Sequence, residues 1–143
     1  MQPGRRIGFD YGRARIGVAA SDFSGLIASP IATLQASDAD LALQIRRIFE
    51  EYEPIYIVVG EPRHLSGRES TTMSDVESFI ALLESLTSAP IHRIDERLST
   101  VSAARTLRES GKDAKASKGK IDAMAAVAIL ESAMAKERIS GTL

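Results

Sequence analysis

Six residues in the middle of the chain constrain its fold most. Ile55-Tyr56-Ile57-Val58-Val59-Gly60 is an unbroken apolar run. Ahead of it, Leu41, Ile45, Ile48, Phe49 and Tyr52 recur at helical spacing, and Pro54 closes that stripe; behind it stands Gly60-Glu61-Pro62. A short apolar run between a helix and a turn reads as a strand buried on both faces, the kind found in parallel sheets. Such a strand needs helices packed over both of its faces.

The flanking pattern extends this reading. Residues 5–10 form a short strand that enters the core through Ile7 and Phe9, and Tyr11-Gly12-Arg13 is a turn in which Gly12 is free to take positive φ. Residues 15–20 resume the strand pattern with Ile16 and Val18 on one face. A third strand lies between 27 and 34, edged at Pro30. Ser37 and Asp38 offer N-caps for the first helix. A second helix begins near Ser74 with Val76, Phe79, Ile80, Leu83 and Leu86 facing inward, and 90–94 is another strand. Ser99 caps a third helix carrying Val101, Ala104 and Leu107. Residues 109–120, with two glycines and four lysines, read as a flexible loop. A last helix spans 121–135, with Ile121, Met124, Ala125, Ala128 and Ile129 inward. The expected architecture is therefore α/β: a mixed sheet, a three-strand antiparallel meander plus parallel strands, with helices on both faces. No repeat or interior linker divides residues 1–143, so a single domain is expected.

Composition narrows the chemistry. The 143 residues include no cysteine and only two histidines, His64 and His92. Thiolate nucleophiles, zinc–thiolate sites and disulfides are thereby excluded, and any metal must be held by oxygen, which points to Mg²⁺ or Mn²⁺. No stretch is apolar and long enough to span a bilayer, and the opening residues lack the apolar core of a signal peptide, so the expected location is cytoplasmic with no membrane partner. The formal net charge is −1, but the bases are unevenly placed: Arg5, Arg6, Arg13 and Arg15 crowd one stretch, and Lys112, Lys115, Lys118 and Lys120 another.

Three acids occupy special places. Asp10 ends the first strand behind Ile7 and Phe9, where a carboxylate is costly unless paired or bound to metal. Glu96 follows the 90–94 strand with Asp95 beside it, and Asp122 opens the last helix. Taken singly, Glu96 also fits a surface ion pair, and Asp122 an acid favoured by the helix dipole. Together they would converge at strand ends, where α/β sheets gather ligands. Carboxylates so placed suit a two-metal site, with ions roughly 3.5–4 Å apart, for phosphodiester hydrolysis.

The motifs around these acids resemble those of one family. Ile7-Gly8-Phe9-Asp10-Tyr11-Gly12-Arg13-Ala14-Arg15-Ile16-Gly17-Val18-Ala19 resembles the opening motif of the YqgF family, also called RuvX. Val58-Val59-Gly60-Glu61-Pro62 through Ser66-Gly67 resembles its second motif, Asp95-Glu96-Arg97-Leu98-Ser99-Thr100 its third, and Lys120-Ile121-Asp122-Ala123-Met124-Ala125-Ala126 with Ile129-Leu130 its fourth. The resemblance implies an RNase H-like fold and a nuclease that matures the 5′ end of the 16S ribosomal RNA precursor; the older family label implies Holliday junction resolution on branched DNA. It places the catalytic and metal-binding acids on Asp10, Glu96 and Asp122. The second motif departs from the usual Gly-Leu-Pro-Leu-Asn-Met-Asp-Gly, reading Gly60-Glu61-Pro62-Arg63-His64-Leu65-Ser66-Gly67, which puts substrate contacts from that segment in doubt.

Candidate nucleic-acid contacts are Arg13, Arg63, Arg68 and Arg97, together with Lys112, Lys115, Lys118 and Lys120, whose run leads into Asp122 and suits a phosphate backbone. His64 reads as a solvated histidine, His92 as structural, and Tyr11 as packing over the hairpin rather than stacking on a base. RNA is favoured over branched DNA as the partner, and the protein is expected to be a monomer or weak homodimer. Two readings from other classes are an actin-like ATP-binding domain, suggested by Asp-x-Gly before a Gly-Val-Ala strand, and a non-catalytic RNA-binding module.

Overall fold

A computed structural model describes residues 1–61, 73–95 and 114–143. Five strands form one sheet in the order β3-β2-β1-β4-β5. β1 (Arg6–Tyr11), β2 (Arg15–Ser21) and β3 (Ala28–Gln35) make an antiparallel meander, while β4 (Tyr56–Glu61) runs parallel to β1 and β5 (Ile91–Asp95) parallel to β4. Helices α1 (Leu41–Tyr52) and α2 (Met73–Leu86) cover one face, and α3 (Ala114–Ser140) covers the other. The buried apolar run is β4, with Ile57 and Val59 in one core and Tyr56 and Val58 in the other.

Alternation along β1 divides its side chains between these cores. Ile7 and Phe9 are fully buried beneath α1 and α2, where Phe9 meets Phe49 and Phe79 edge-on at 6.1 and 5.4 Å. Such aromatic pairs add about 0.5–1.5 kcal/mol each beyond the area they bury. Arg6, Gly8 and Asp10 take the opposite face, under α3.

Several local expectations change. Pro30 does lie on an edge strand, opposite Ala19, next to a register shift between Val18 and Ala19. Gly12 is not at positive φ; a Cβ there would stand 2.7 Å from the Arg15 carbonyl oxygen, which accepts the Gly12 amide at 3.0 Å. Close approach, not handedness, makes this turn need glycine. Neither Ser37 nor Asp38 caps α1, because the helix starts at Leu41; the Asp38 carboxylate instead accepts the Asp40 amide at 2.8 Å. The stretch expected as a loop is already helical from Ala114, since lysine and alanine favour helix and Gly119 costs only about 1 kcal/mol. α3 also runs on to Ser140, and Met124, expected inward, is 36% exposed while Ala126, Leu130, Ala133 and Met134 are buried. The helix expected from Ser99 lies outside the described residues.

Candidate active site

The placement of α3 follows from two glycines. A Cβ on Gly8 would stand 3.0 Å from Leu130 Cβ and 3.1 Å from the Ala126 carbonyl oxygen; one on Gly60 would stand 2.4 Å from Ile129 Cδ1. Without side chains at these positions the helix settles directly onto β1 and β4. Its direction is set at the other end. Arg6, wholly buried, donates to both carboxylate oxygens of Glu137, at 3.2 and 2.9 Å, and the Tyr56 hydroxyl donates to Glu137 at 2.8 Å. Advancing from Arg6 to Gly8 along β1 therefore runs backward along α3, from Glu137 to Ala126.

Extending that by one step locates the acids. One helical turn before Ala126, about 6 Å, is position 122. Two residues beyond Gly8, roughly 6.6 Å, is Asp10. Asp122 thus lies on the stretch of α3 that runs from Ala126 toward the Asp10 end of β1. Asp10 is directly opposite Gly17 on β2, and Gly60 on β4 comes one residue after the Phe9–Val59 pair. β4 and β5 end level with Asp10, Gly60 pairing with Ile94 and Glu61 with Asp95. The carboxyl ends of three adjacent parallel strands meet here, as α/β ligand sites require.

Across the sheet, Tyr11 packs against Phe79 of α2, with ring centroids 4.7 Å apart, rather than over the hairpin. Burial, with the nearby Asp75 carboxylate, raises its phenol, so it stays protonated. His92 stands edge-on to Tyr56 at 5.7 Å, a packing role. Arg13 is exposed in the turn just past Asp10. Arg6, grouped in sequence with Arg5, Arg13 and Arg15, is instead the core partner of Glu137. Burial opposes charge on both, but their mutual hydrogen bonds outweigh it, so the guanidinium is raised and the carboxyl held below the ordinary glutamate value.

The sequence profile of the RuvX family, described as Holliday junction resolvase, matches residues 4–136. The chain belongs to the RuvX family. Relatives run its full length: a Streptomyces coelicolor protein is 42% identical over 143 residues, covering 99% of this chain and 86% of its own. A Clavibacter michiganensis protein is 43% identical over 145 residues, covering 99% and 89%. Both bear the name "Putative pre-16S rRNA nuclease". Among solved structures, Thermus thermophilus RuvC in complex with a Holliday junction superposes with a TM-score of 0.64 at 15% identity, covering 95% of this chain and 96% of that one. The fowlpox virus Holliday junction resolvase gives 0.54 at 14%, covering 92% and 99%. The RuvX chain thus has the RNase H-like fold of RuvC, as its motifs imply.

Of the acids in the RuvX motifs, Asp10 ends β1 and Asp122 lies in α3, while Glu96 lies outside the described residues; Ile94, two residues earlier, packs in the α3-side core. Arg63, His64, Arg68, Arg97 and Lys112 also lie outside them. Lys115, Lys118 and Lys120 belong to the first turns of α3, not to a loop. Among the described residues no three acids or histidines gather as a metal site, and no helix is long and apolar enough to cross a membrane. Sequence reasoning missed Gly8, Gly17 and Gly60 as the residues that shape the space around Asp10. Their signal was available: each sits inside a strand pattern, where glycine marks close backbone approach.

Proposed function

We propose that this RuvX-family protein trims the 5′ end of the 16S ribosomal RNA precursor, with Asp10, Glu96 and Asp122 as its catalytic and metal-binding carboxylates. That it is a nuclease, hydrolysing phosphodiester bonds, follows from the family and from nuclease-named relatives aligned end to end. Membership also leaves the actin-like ATP-binding and non-catalytic readings without support.

One observation carries the site assignment. Asp10 is buried on a central strand, at the carboxyl end of the parallel strands, with Gly17 opposite it on β2. Carboxylate oxygens of Asp10, Glu96 and Asp122 suit a divalent cation, Mg²⁺ or Mn²⁺, singly or as a pair. Bound there, the cation supplies charge stabilisation for the phosphoryl group and the leaving oxygen. The chain itself does the positioning: the sheet fixes Asp10, and the seat of α3 on Gly8 and Gly60 fixes the height of Asp122. Lys115, Lys118 and Lys120 precede Asp122 in the first turns of α3 and would draw a phosphate backbone toward it. Arg13 extends that basic surface past the hairpin.

The test compares a precursor RNA 5′ end with a four-way DNA junction, each with Mg²⁺, with Mn²⁺ and with chelator. Precise RNA trimming that chelator abolishes supports the proposal. Undiminished cleavage in chelator removes the metal. Junction cleavage with inert RNA favours a second reading, resolution of branched DNA, which the family description supports.

A further inference from the structure

We propose that the end of the sheet opposite Asp10 is a self-association surface, in which the β2–β3 loop of one copy seats in the groove between α1 and α2 of a second copy. The loop presents Phe23, Leu26 and Ile27 at 60, 61 and 63% exposure, with Met1 alongside. Single exposed apolar residues are ordinary, but a cluster of large ones marks an interaction surface. This cluster is also held still. The Asp22 carboxylate accepts the Ser24 hydroxyl and the amides of Leu26 and Ile27, at 2.5, 2.9 and 3.1 Å. The Gly4 amide donates to the Phe23 carbonyl at 2.8 Å, and Arg138 donates to that of Gly25 at 2.9 Å. A framed apolar knob loses little entropy on docking.

The charges around the knob say what it fits. The Arg5 guanidinium lies 4.6 Å over the Phe23 ring, and Arg138 borders Gly25, so the collar is cationic while the Asp22 carboxylate is engaged inside the loop. The groove is an open space of about 490 Å³ lined by Phe49 and Leu86, by Glu50, Glu53 and Arg46, and by Thr87 and Ser88. Its two carboxylates outnumber its one guanidinium, which complements the collar. Knob and groove also adjoin, because Arg5 lies 5.7 Å from the ring of Tyr52, the residue before Glu53. Two complementary patches side by side allow a two-fold dimer that makes both contacts at once. Both Asp10 ends stay open in that arrangement.

Sedimentation velocity from low micromolar to roughly millimolar protein tests this, across the range in which weak association shows. Wild type is expected to move from monomer to dimer. Phe23→Ser with Leu26→Ser, which empties the knob, and Ser88→Arg, which fills the groove, should each weaken the dimer by tenfold or more. Mixing the two variants should give a heterodimer tighter than either variant alone, because one intact knob then faces one intact groove. Matching thermal melts verify folding, and Leu26→Ser alone serves if the double variant melts early. A wild-type monomer at every concentration overturns the proposal, as does a dimer indifferent to Ser88→Arg or a mixture no tighter than its components.

Discussion

Two carboxylates lie beneath α3, one at each end of the molecule, and they are spent differently. Glu137 is 5% exposed and Asp10 9%. Glu137 meets a wholly buried guanidinium and a phenol, a closed cluster whose charge is balanced within the fold. Asp10 faces Gly17 at the end where three parallel strands stop. Burial of an acid does not by itself separate structure from chemistry. Where it sits relative to the ends of the parallel strands does.

The sharpest way to break this contrast is to make each acid neutral. Asp10→Asn should lower the single-turnover cleavage rate by about 10³-fold or more, equivalent to roughly 4 kcal/mol in the barrier. Its thermal melt should hold or rise, since the amide lifts any repulsion among clustered acids. A variant that cleaves at the wild-type rate but melts early would give Asp10 the structural role instead. Next in size is the closed end. Arg6→Ala leaves the Glu137 charge buried without its guanidinium and should cost about 3–5 kcal/mol of stability in urea denaturation. A loss below about 1 kcal/mol would mean that the cluster is solvated and does not anchor α3.

Gly8→Ala sits between the two ends and sharpens the comparison. The added methyl meets Leu130 Cβ and the Ala126 carbonyl, so α3 must move by a few tenths of an ångström. Overpacking of this kind costs about 1–3 kcal/mol. If the height of α3 sets the spacing of Asp10 and Asp122, the Mg²⁺ concentration for half-maximal cleavage should rise as well. Lost stability with an unchanged Mg²⁺ requirement would confine Gly8 to packing.

Much of the fold was legible because periodicity reports burial. The run at 55–60 announced β4, the stripes on α1 and α2 announced their inner faces, and Pro30 announced an edge. The opening of α3 was not legible, since Ala114 to Lys120 carries no apolar period and is helical by propensity and by continuity with the packed turns that follow. Nor was the Arg6–Glu137 pair, whose partners are 131 residues apart, with Glu137 past the expected end of the helix. Asp10 could be read from sequence because strand neighbours flank it. That Gly17 would stand opposite it could not, because the two become neighbours only once the strands pair.

The smallest expected effect concerns acid. Burial would raise the Glu137 carboxyl, but the hydrogen bonds from Arg6 and Tyr56 outweigh it and hold it below the ordinary glutamate value. A carboxyl depressed in the folded state contributes stability that is present above its unfolded pKa, about 4.3, and lost as pH falls through the folded value. Between neutral pH and about 4.3 this contribution should therefore stay flat, and below that it should decline. Asp22 is an internal comparison: hydrogen bonds from Ser24 and the Ile27 amide lower it to about 2, yet it is only partly buried and belongs to a surface loop. Stability measured in urea at a series of acidic pH values should fall less steeply for Glu137→Gln than for wild type, although the variant is less stable at neutral pH because Arg6 has lost its counter-charge. Asp22→Asn should flatten the slope less, since solvent screens its contribution. Parallel acid limbs for wild type and Glu137→Gln would mean that the closed end of the molecule does not discharge with pH, and that acid sensitivity arises at the Asp10 end instead.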